Sequence, residues 1–306
     1  MLCKEIIQVI EASYPKEAAL DFDNVGLLAG RLEKEVSKVY LALDATEEVI
    51  DKAIALGTDM LITHHPLIFS PMKRVTDEDF IGRRVVKLLQ NDISYYAMHT
   101  NYDVLGMAKL AEDILGIEKT YVLDVTMEKD GAEEGIGRIG MLEREMTLEE
   151  CCLYVKHKLK LGSVKVYGDM KKNVHCLAVS PGAGKSAIMP AIKKGADVLV
   201  TGDIGHHDGI DAVEQGLAVI DAGHYGTEYI FIDDMGCDVD SDSSSIPSAL
   251  KGGLYLGKRS VFRKMEKKKY NITVGNETKE FEEGTTYQAV AKEFCGSFSH
   301  PAVLAV

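Results

Sequence analysis

VYLALDATEEVIDKAIALGTDMLITHH, residues 39–65, reads as an apolar strand, a polar turn, an amphipathic helix, a Gly-x-Asp turn and a second apolar strand that stops at two histidines. CLAVSPGAGKSAIMPAIKKGADVLVTGD, residues 176–203, repeats that order. In both, the helix ends at a glycine, Gly57 or Gly195, suited to a left-handed C-cap. Each segment is followed by a second helix, a short strand and a histidine, in ISYYAMHTNYD (93–103) and LAVIDAGHYGTE (217–228). The shared order predicts an α/β protein of two pseudo-equivalent lobes, each a largely parallel sheet between helices in three α/β/α layers.

The first lobe is expected over 1–125 and the second over 126–236. Between their central segments, roughly 125–165, GIGRIGML reads as a glycine-rich strand. MTLEECCLYVKHKL starts a helix with Thr147 as N-cap and Glu150 as its box partner. After YIFIDDM, periodicity is lost in GCDVDSDSSSIPSALKGGLYLGKRSVFRK, so 237–264 is expected to be irregular or disordered. From Met265 a new signal begins: YNITVGNETKEFEEGTTYQAVAKEF alternates as a hairpin turning near Gly275-Asn276, with a helix from Thr285 or Thr286. This stretch, 265–306, resembles the opening of a TGS (ubiquitin-like) domain and stops before that fold could be completed. The change in character predicts that residues after about 236 are foreign to the first module, as a frameshift or a run-on into a neighbouring reading frame would make them.

The net charge of −13 opposes binding to phosphate backbones, and the basic clusters are short, so nucleic acid is an unfavoured partner. No apolar run approaches the ~18 residues that span a bilayer, and the opening MLCKEIIQVIEASYPKEAAL is an amphipathic helix rather than a signal peptide. A cytoplasmic protein with no membrane partner is expected. The six cysteines, Cys3, Cys151, Cys152, Cys176, Cys237 and Cys295, form no C-x-x-C pair and read as reduced thiols.

In α/β sheets ligands bind beyond the carboxyl ends of the strands. Six of the nine histidines fall there: His64, His65, His99, His206, His207 and His224. Imidazole with carboxylate suits zinc, iron or manganese. Neighbours on a strand point to opposite faces, so His64 and His65 cannot serve one ion while the strand stays regular; Pro66 ends the ladder and lets them diverge toward two. HTNYD offers His99 and Asp103, and HYGTE offers His224 and Glu228 at the i,i+4 spacing that shares a helix face. A glutamate near a helix start is also an ordinary helix feature, so the combination of sites carries more weight than any one. GAGKS (182–186) fails as a phosphate loop because Val179 stands where the first glycine belongs, although a glycine turn at a helix start could receive an anion. DVDSDSSS (238–245) fails as a calcium loop, with Ala249 in place of the bidentate glutamate. His206 and His207 of TGDIGHHD are expected at the rim, in a place equivalent to LITHHP, as acid/base groups or substrate contacts, as is His99.

DFDNVGLLAG (21–30), LALDAT (41–46), LITHHPLIF (61–69), HTNYD, the GAG turn at 182–184, DVLVTGDIGHHD (197–208) and DAGHYGTE (221–228) together resemble the Nif-three-like dinuclear metal-binding family, whose members are often labelled GTP cyclohydrolase type-two homologues. The resemblance covers residues 1 to about 235. It implies His64, His65, Asp103, His224 and Glu228 as ligands of two divalent ions, a bridging carboxylate, a site between the lobes, and a homohexameric ring. The family's closing C-terminal strand is not recognisable after Met235. Hydrolysis of a small molecule, with a nucleotide as one candidate, is the chemistry such a centre supports best. The alternative is a protein that holds, delivers or senses metal, or serves as a scaffold, without catalysis.

Overall fold

The computed structural model describes residues 1–236 and the strand segments 254–257, 269–274 and 277–282. It divides into two units, Met1–Gly257 and Lys258–Val306. The strands of the first unit are β1 (Gly26–Ala29), β2 (Lys38–Ala42), β3 (Met60–Thr63), β4 (Ser94–Ala97), β5 (Glu118–Lys129), β6 (Ala132–Thr147), β7 (Lys165–Tyr167), β8 (Asn173–Ala183), β9 (Val198–Gly202), β10 (Ala218–Asp221) and β11 (Leu254–Gly257). The second unit contributes β12 (Lys269–Val274) and β13 (Glu277–Glu282).

Two sheets form in the first unit, ordered β1-β4-β3-β2-β11 and β5-β6-β8-β9-β10-β7. In the first, β4, β3 and β2 run parallel and β1 lies antiparallel at the edge. In the second, β8, β9 and β10 run parallel and β7 lies antiparallel at the edge. The runs β1-β4-β3-β2 and β7-β10-β9-β8 therefore share order and sense, which is the equivalence expected from residues 39–103 and 176–228. β11 pairs parallel with β2, from Leu254 beside Lys38 to Gly257 beside Leu41. Part of the aperiodic stretch 237–264, expected to be irregular, is thus a strand; strand pairing with a neighbour supplies order that its own composition does not signal.

Alternation along the strands sorts side chains between cores. Val39, Leu41, Met60, Ile62 and Tyr96 of the first sheet join Leu177, Val179, Val198, Val200 and Ile220 of the second in one cluster. Helices Cys3–Ser13, Ala108–Leu115, Leu148–Lys158 and Ile230–Met235 contribute Ile6, Leu115, Val155 and Phe231 to it, so the two lobes share a core. On the opposite faces, Tyr40, Leu61 and Tyr95 pack with helices Glu47–Ala55 and Phe80–Gln90, and Leu199 and Val219 with helices Ile188–Lys193 and His206–Glu214. Truncating a central residue such as Ile62 to alanine would cost about 2–5 kcal/mol.

Local predictions hold where they rest on local chemistry. The Thr147 hydroxyl accepts from the Glu150 N–H at 3.2 Å, and Glu150 accepts from the Thr147 N–H at 2.8 Å. Gly57 and Gly195 adopt φ of +62° and +76°. β12 and β13 pair antiparallel, Val274 with Glu277, and the turn expected at Gly275-Asn276 lies outside the described residues. The helix expected from Thr285 or Thr286, the rest of the TGS-like stretch, DVDSDSSS, Cys237 and Cys295 lie outside the described residues. Cys3, Cys151, Cys152 and Cys176 are free thiols. Among the described residues no helix is long and apolar enough to cross a membrane.

Candidate metal centre

The turn after β3 is built to present two imidazoles. The ladder continues past the strand, with the His64 N–H donating to Ala42 at 3.3 Å and the His65 N–H to Leu43 at 2.9 Å, and then Pro66 removes the next donor. Buried Thr63 and Tyr95 secure the reversal: Thr63 donates to the His65 carbonyl at 2.8 Å, and the Tyr95 hydroxyl accepts the Leu67 N–H at 2.7 Å. His64 then leans toward β4 and His65 toward β2. The Nδ1 of His64 lies 2.9 Å from the Met98 carbonyl, and that of His65 lies 2.8 Å from Asp44.

The other contributors follow neighbouring strand ends. His99, after β4, places Nδ1 2.9 Å from Asp23, whose second oxygen accepts the Thr100 N–H at 2.9 Å. Asp103 opens a π-helical turn, Asp103–Met107; such widened turns recur at functional sites. His224, after β10, opens the helix His224–Glu228, and its Nδ1 lies 2.8 Å from Asp203. In the matched topologies His99-x-x-x-Asp103 and His224-x-x-x-Glu228 occupy corresponding places.

Each of these rings has its outward Nδ1 beside an acceptor, which leaves Nε2 as the lone-pair atom of a neutral imidazole. Those Nε2 atoms converge on carboxylates. His64 Nε2 lies 3.4 Å from Asp103 and 3.7 Å from Glu228 Oε1, while Glu228 Oε2 lies 3.0 Å from His65 Nε2 and 3.1 Å from His224 Nε2. The last two nitrogens are themselves 3.1 Å apart. His64 Nε2 and Glu228 Oε2 are buried and have no properly directed hydrogen bond. A buried set of acceptors without donors requires a cation or added protons. Ligand atoms of His64, Asp103 and Glu228 lie within 4.8 Å of one another, as do those of His65, His224 and Glu228, and those of His64, His65 and His99. The donor set fits divalent metal, with Glu228 common to two of the groups.

The same groups shift one another's titration. Burial opposes charge on His64, but Asp103 and Glu228 outweigh it and push its pKa up to about 10. The Glu228 carboxylate beside it, against burial, pushes His224 up to about 9. Burial likewise opposes the ionised form of Glu228, yet the surrounding imidazoles hold it well below the usual carboxylate range.

His206 and His207 are not brought into this cluster. They open the helix His206–Glu214, are exposed, and face each other at 5.3 Å between ring centroids. The residue that directly follows β9, where His64 follows β3, is Asp203. The GAG turn also differs from an anion cradle. A methyl group at Gly182 would come within 2.2 Å of Glu228 Oε1, and one at Gly184 within 1.8 Å of Thr201 Oγ1, so these glycines admit close packing. Lys185 lies 3.0 Å from Asp208. The sequence reading assigns no role to Asp23, Asp44 or Asp203; Asp44 follows β2 and Asp203 follows β9, each past the strand before the one that leads to its histidine, and that placement is the signal that points to these two.

The chain belongs to the Duf34/NIF3 (NGG1p interacting factor 3) family, whose model matches residues 1–248. It is 40% identical over 228 residues to a GTP cyclohydrolase 1 type 2 homolog of Clostridium acetobutylicum, a match covering 74% of this chain and 85% of that one. A homologue of the same name from Methanocaldococcus jannaschii is 37% identical, with 74% and 90% covered. Among solved structures, a Bacillus cereus protein related to NIF3 superposes with a TM-score of 0.70 at 30% identity, covering 74% of this chain and 89% of that one. Reduced HcgD of M. jannaschii does so with a TM-score of 0.65 at 35% identity, covering 77% and 92%.

Proposed function

We propose that this protein is a hydrolase built on two divalent ions, held by His64, Asp103 and Glu228 and by His65, His224 and Glu228, acting on a small molecule. The observation that carries the reading is the convergence of the Nε2 atoms of His64, His65 and His224 on the shared, buried Glu228. Zinc, iron and manganese all suit the set.

When bound, such ions supply Lewis acidity and acidify a water at neutral pH. Glu228 keeps the two ligand groups together, one oxygen toward His64 and the other toward His65 and His224. His99 stands beside the cluster, its ring centroid 5.3 Å from that of His64, and is fixed through Nδ1 by Asp23. Its remaining nitrogen is the group to take and return a proton. The name GTP cyclohydrolase carried by the relatives makes a guanine nucleotide one substrate to test. A hexameric ring in the cytoplasm is the setting proposed for it.

A metal-holding or metal-delivering role has one observation in its favour: the His65 and His224 side chains are 23% and 32% exposed, open to exchange with solvent. Metal analysis of chelator-free protein, followed by a hydrolysis screen over nucleotides, phosphoesters and amides, separates the readings. Two ions per chain with turnover lost in Glu228→Ala supports the hydrolase. Fewer than one ion after reconstitution sinks the metal centre, and a loaded protein inert on every class transfers support to the holding role. Light scattering on the same sample tests the hexamer.

A further inference from the structure

Asp44 and Asp203 stand outside the converging ligand atoms but touch the same rings. Each places an oxygen 2.8 Å from the Nδ1 of one imidazole, Asp44 on His65 and Asp203 on His224. The bonded nitrogen is the one turned away from Glu228, so neither carboxylate occupies a ligand position. We infer that Asp44 and Asp203 are a matched pair of positioning residues that fix the tautomer and direction of His65 and His224 and raise their strength as metal ligands. The inference rests on the metal-centre reading.

Sheet register brings both pairs about, by two routes. β2 and β3 run in parallel with Ala42 beside Thr63. Continuing that register two residues past the strands sets Asp44 beside His65, both 21 residues apart in the chain. β9 and β10 pair Thr201 with Asp221, which would set Asp203 beside Gly223 rather than His224. The offset is taken up by left-handed backbone at both turns, φ +55° at Asp203 and +78° at Gly223. A non-glycine residue in that region is strained, and such conformations cluster at functional sites.

Stability does not account for the pairs. The Asp44 and Asp203 side chains are 52% and 57% exposed, and ion pairs that open to water contribute little to folding. The two carboxylates instead fix the outward nitrogen of a ring whose inward nitrogen faces the shared glutamate. A hydrogen bond from Nδ1–H to a carboxylate leaves Nε2 as the lone-pair atom and increases its basicity, and losing such a partner lowers metal affinity by about 10–100-fold. His64 has a neutral carbonyl, Met98, in the same role.

The test uses the full chain and zinc alone. Zinc affinity is measured by competition with a chromophoric chelator for wild type, Asp44→Ala, Asp203→Ala and the two Asn variants. In parallel, nitrogen NMR of the metal-free proteins, at a pH high enough to neutralise both rings, reads which ring nitrogen of His65 and His224 carries the proton. Each Ala variant is expected to lose about 10–100-fold in affinity and to shift its own histidine away from the Nδ1–H form. Asn, which keeps an acceptor oxygen, is expected to recover the tautomer and part of the affinity. Wild-type tautomers and affinities within about twofold of wild type in both Ala variants would overturn the inference. A wild-type protein that binds no zinc defeats the metal-centre reading first; the tautomer measurement still reports on the two aspartates.

Discussion

Gly182 and Glu228 share a space that admits only one of a methyl group and a carboxylate: a methyl at 182 would lie 2.2 Å from Glu228 Oε1, and the Gly182 N–H donates to Thr227 at 3.0 Å. Gly182 also has φ of +76°. Gly182→Ala therefore combines left-handed strain of about 1–2 kcal/mol with displacement of the glutamate common to both ligand groups. Denaturant unfolding should show that loss, and metal analysis should show fewer bound ions than in wild type. A variant with full metal content would separate the turn from the site.

Metal uptake should release protons. At pH 7 the metal-free cluster holds them on His64 and His224, whose pKa values stand at about 10 and about 9, and a metal must displace them. Raised values mean that the protonated pairing stabilises the metal-free fold fully below about 6.5, and that this contribution is lost as pH climbs through 9 to 10. Affinity for zinc should accordingly keep rising with pH above 7. Calorimetry in two buffers of different ionisation enthalpy measures the proton count, and an affinity that is level from pH 7 to 9 contradicts the prediction.

Asp23 holds His99 and the Thr100 backbone, and although burial raises it, those bonds bring its pKa down to about 2. A depressed carboxylate stabilises the fold above its unfolded value of about 3.8 and loses that effect as pH falls through 2. Asp23→Ala should lose up to about 2 kcal/mol at pH 7, the shift expressed as free energy. Urea titrations at pH 7 and pH 2.5 should show the gap to wild type closing at the lower pH.

Tyr95→Phe removes the hydroxyl that receives the Leu67 N–H and leaves that donor buried without its partner. The cost should be about 1–3 kcal/mol, with zinc affinity reduced because the same hydroxyl lies 3.1 Å from the His65 carbonyl. Unchanged stability would show that another acceptor takes the Leu67 N–H.

What the sequence determined by itself is what lies within a few residues: the strand and helix periods of 39–65 and 176–203, the caps at Thr147, Gly57 and Gly195, the register of the 269–282 hairpin, and the spacing of His224 with Glu228. It also marked His64, His65, His99 and Asp103, because residues at strand ends are legible from the apolar run before them. Tertiary structure decided the rest. Val39 and Val200 share a core, β11 adds to β2, and Asp44, Asp203 and Asp23 meet His65, His224 and His99, through pairing between segments distant in the chain. A local pattern states which face a side chain takes, whereas its neighbour depends on which strand docks beside it and in which register. The same limit separates His206 and His207, similar in sequence to His64 and His65, from the cluster, since the place after β9 belongs to Asp203.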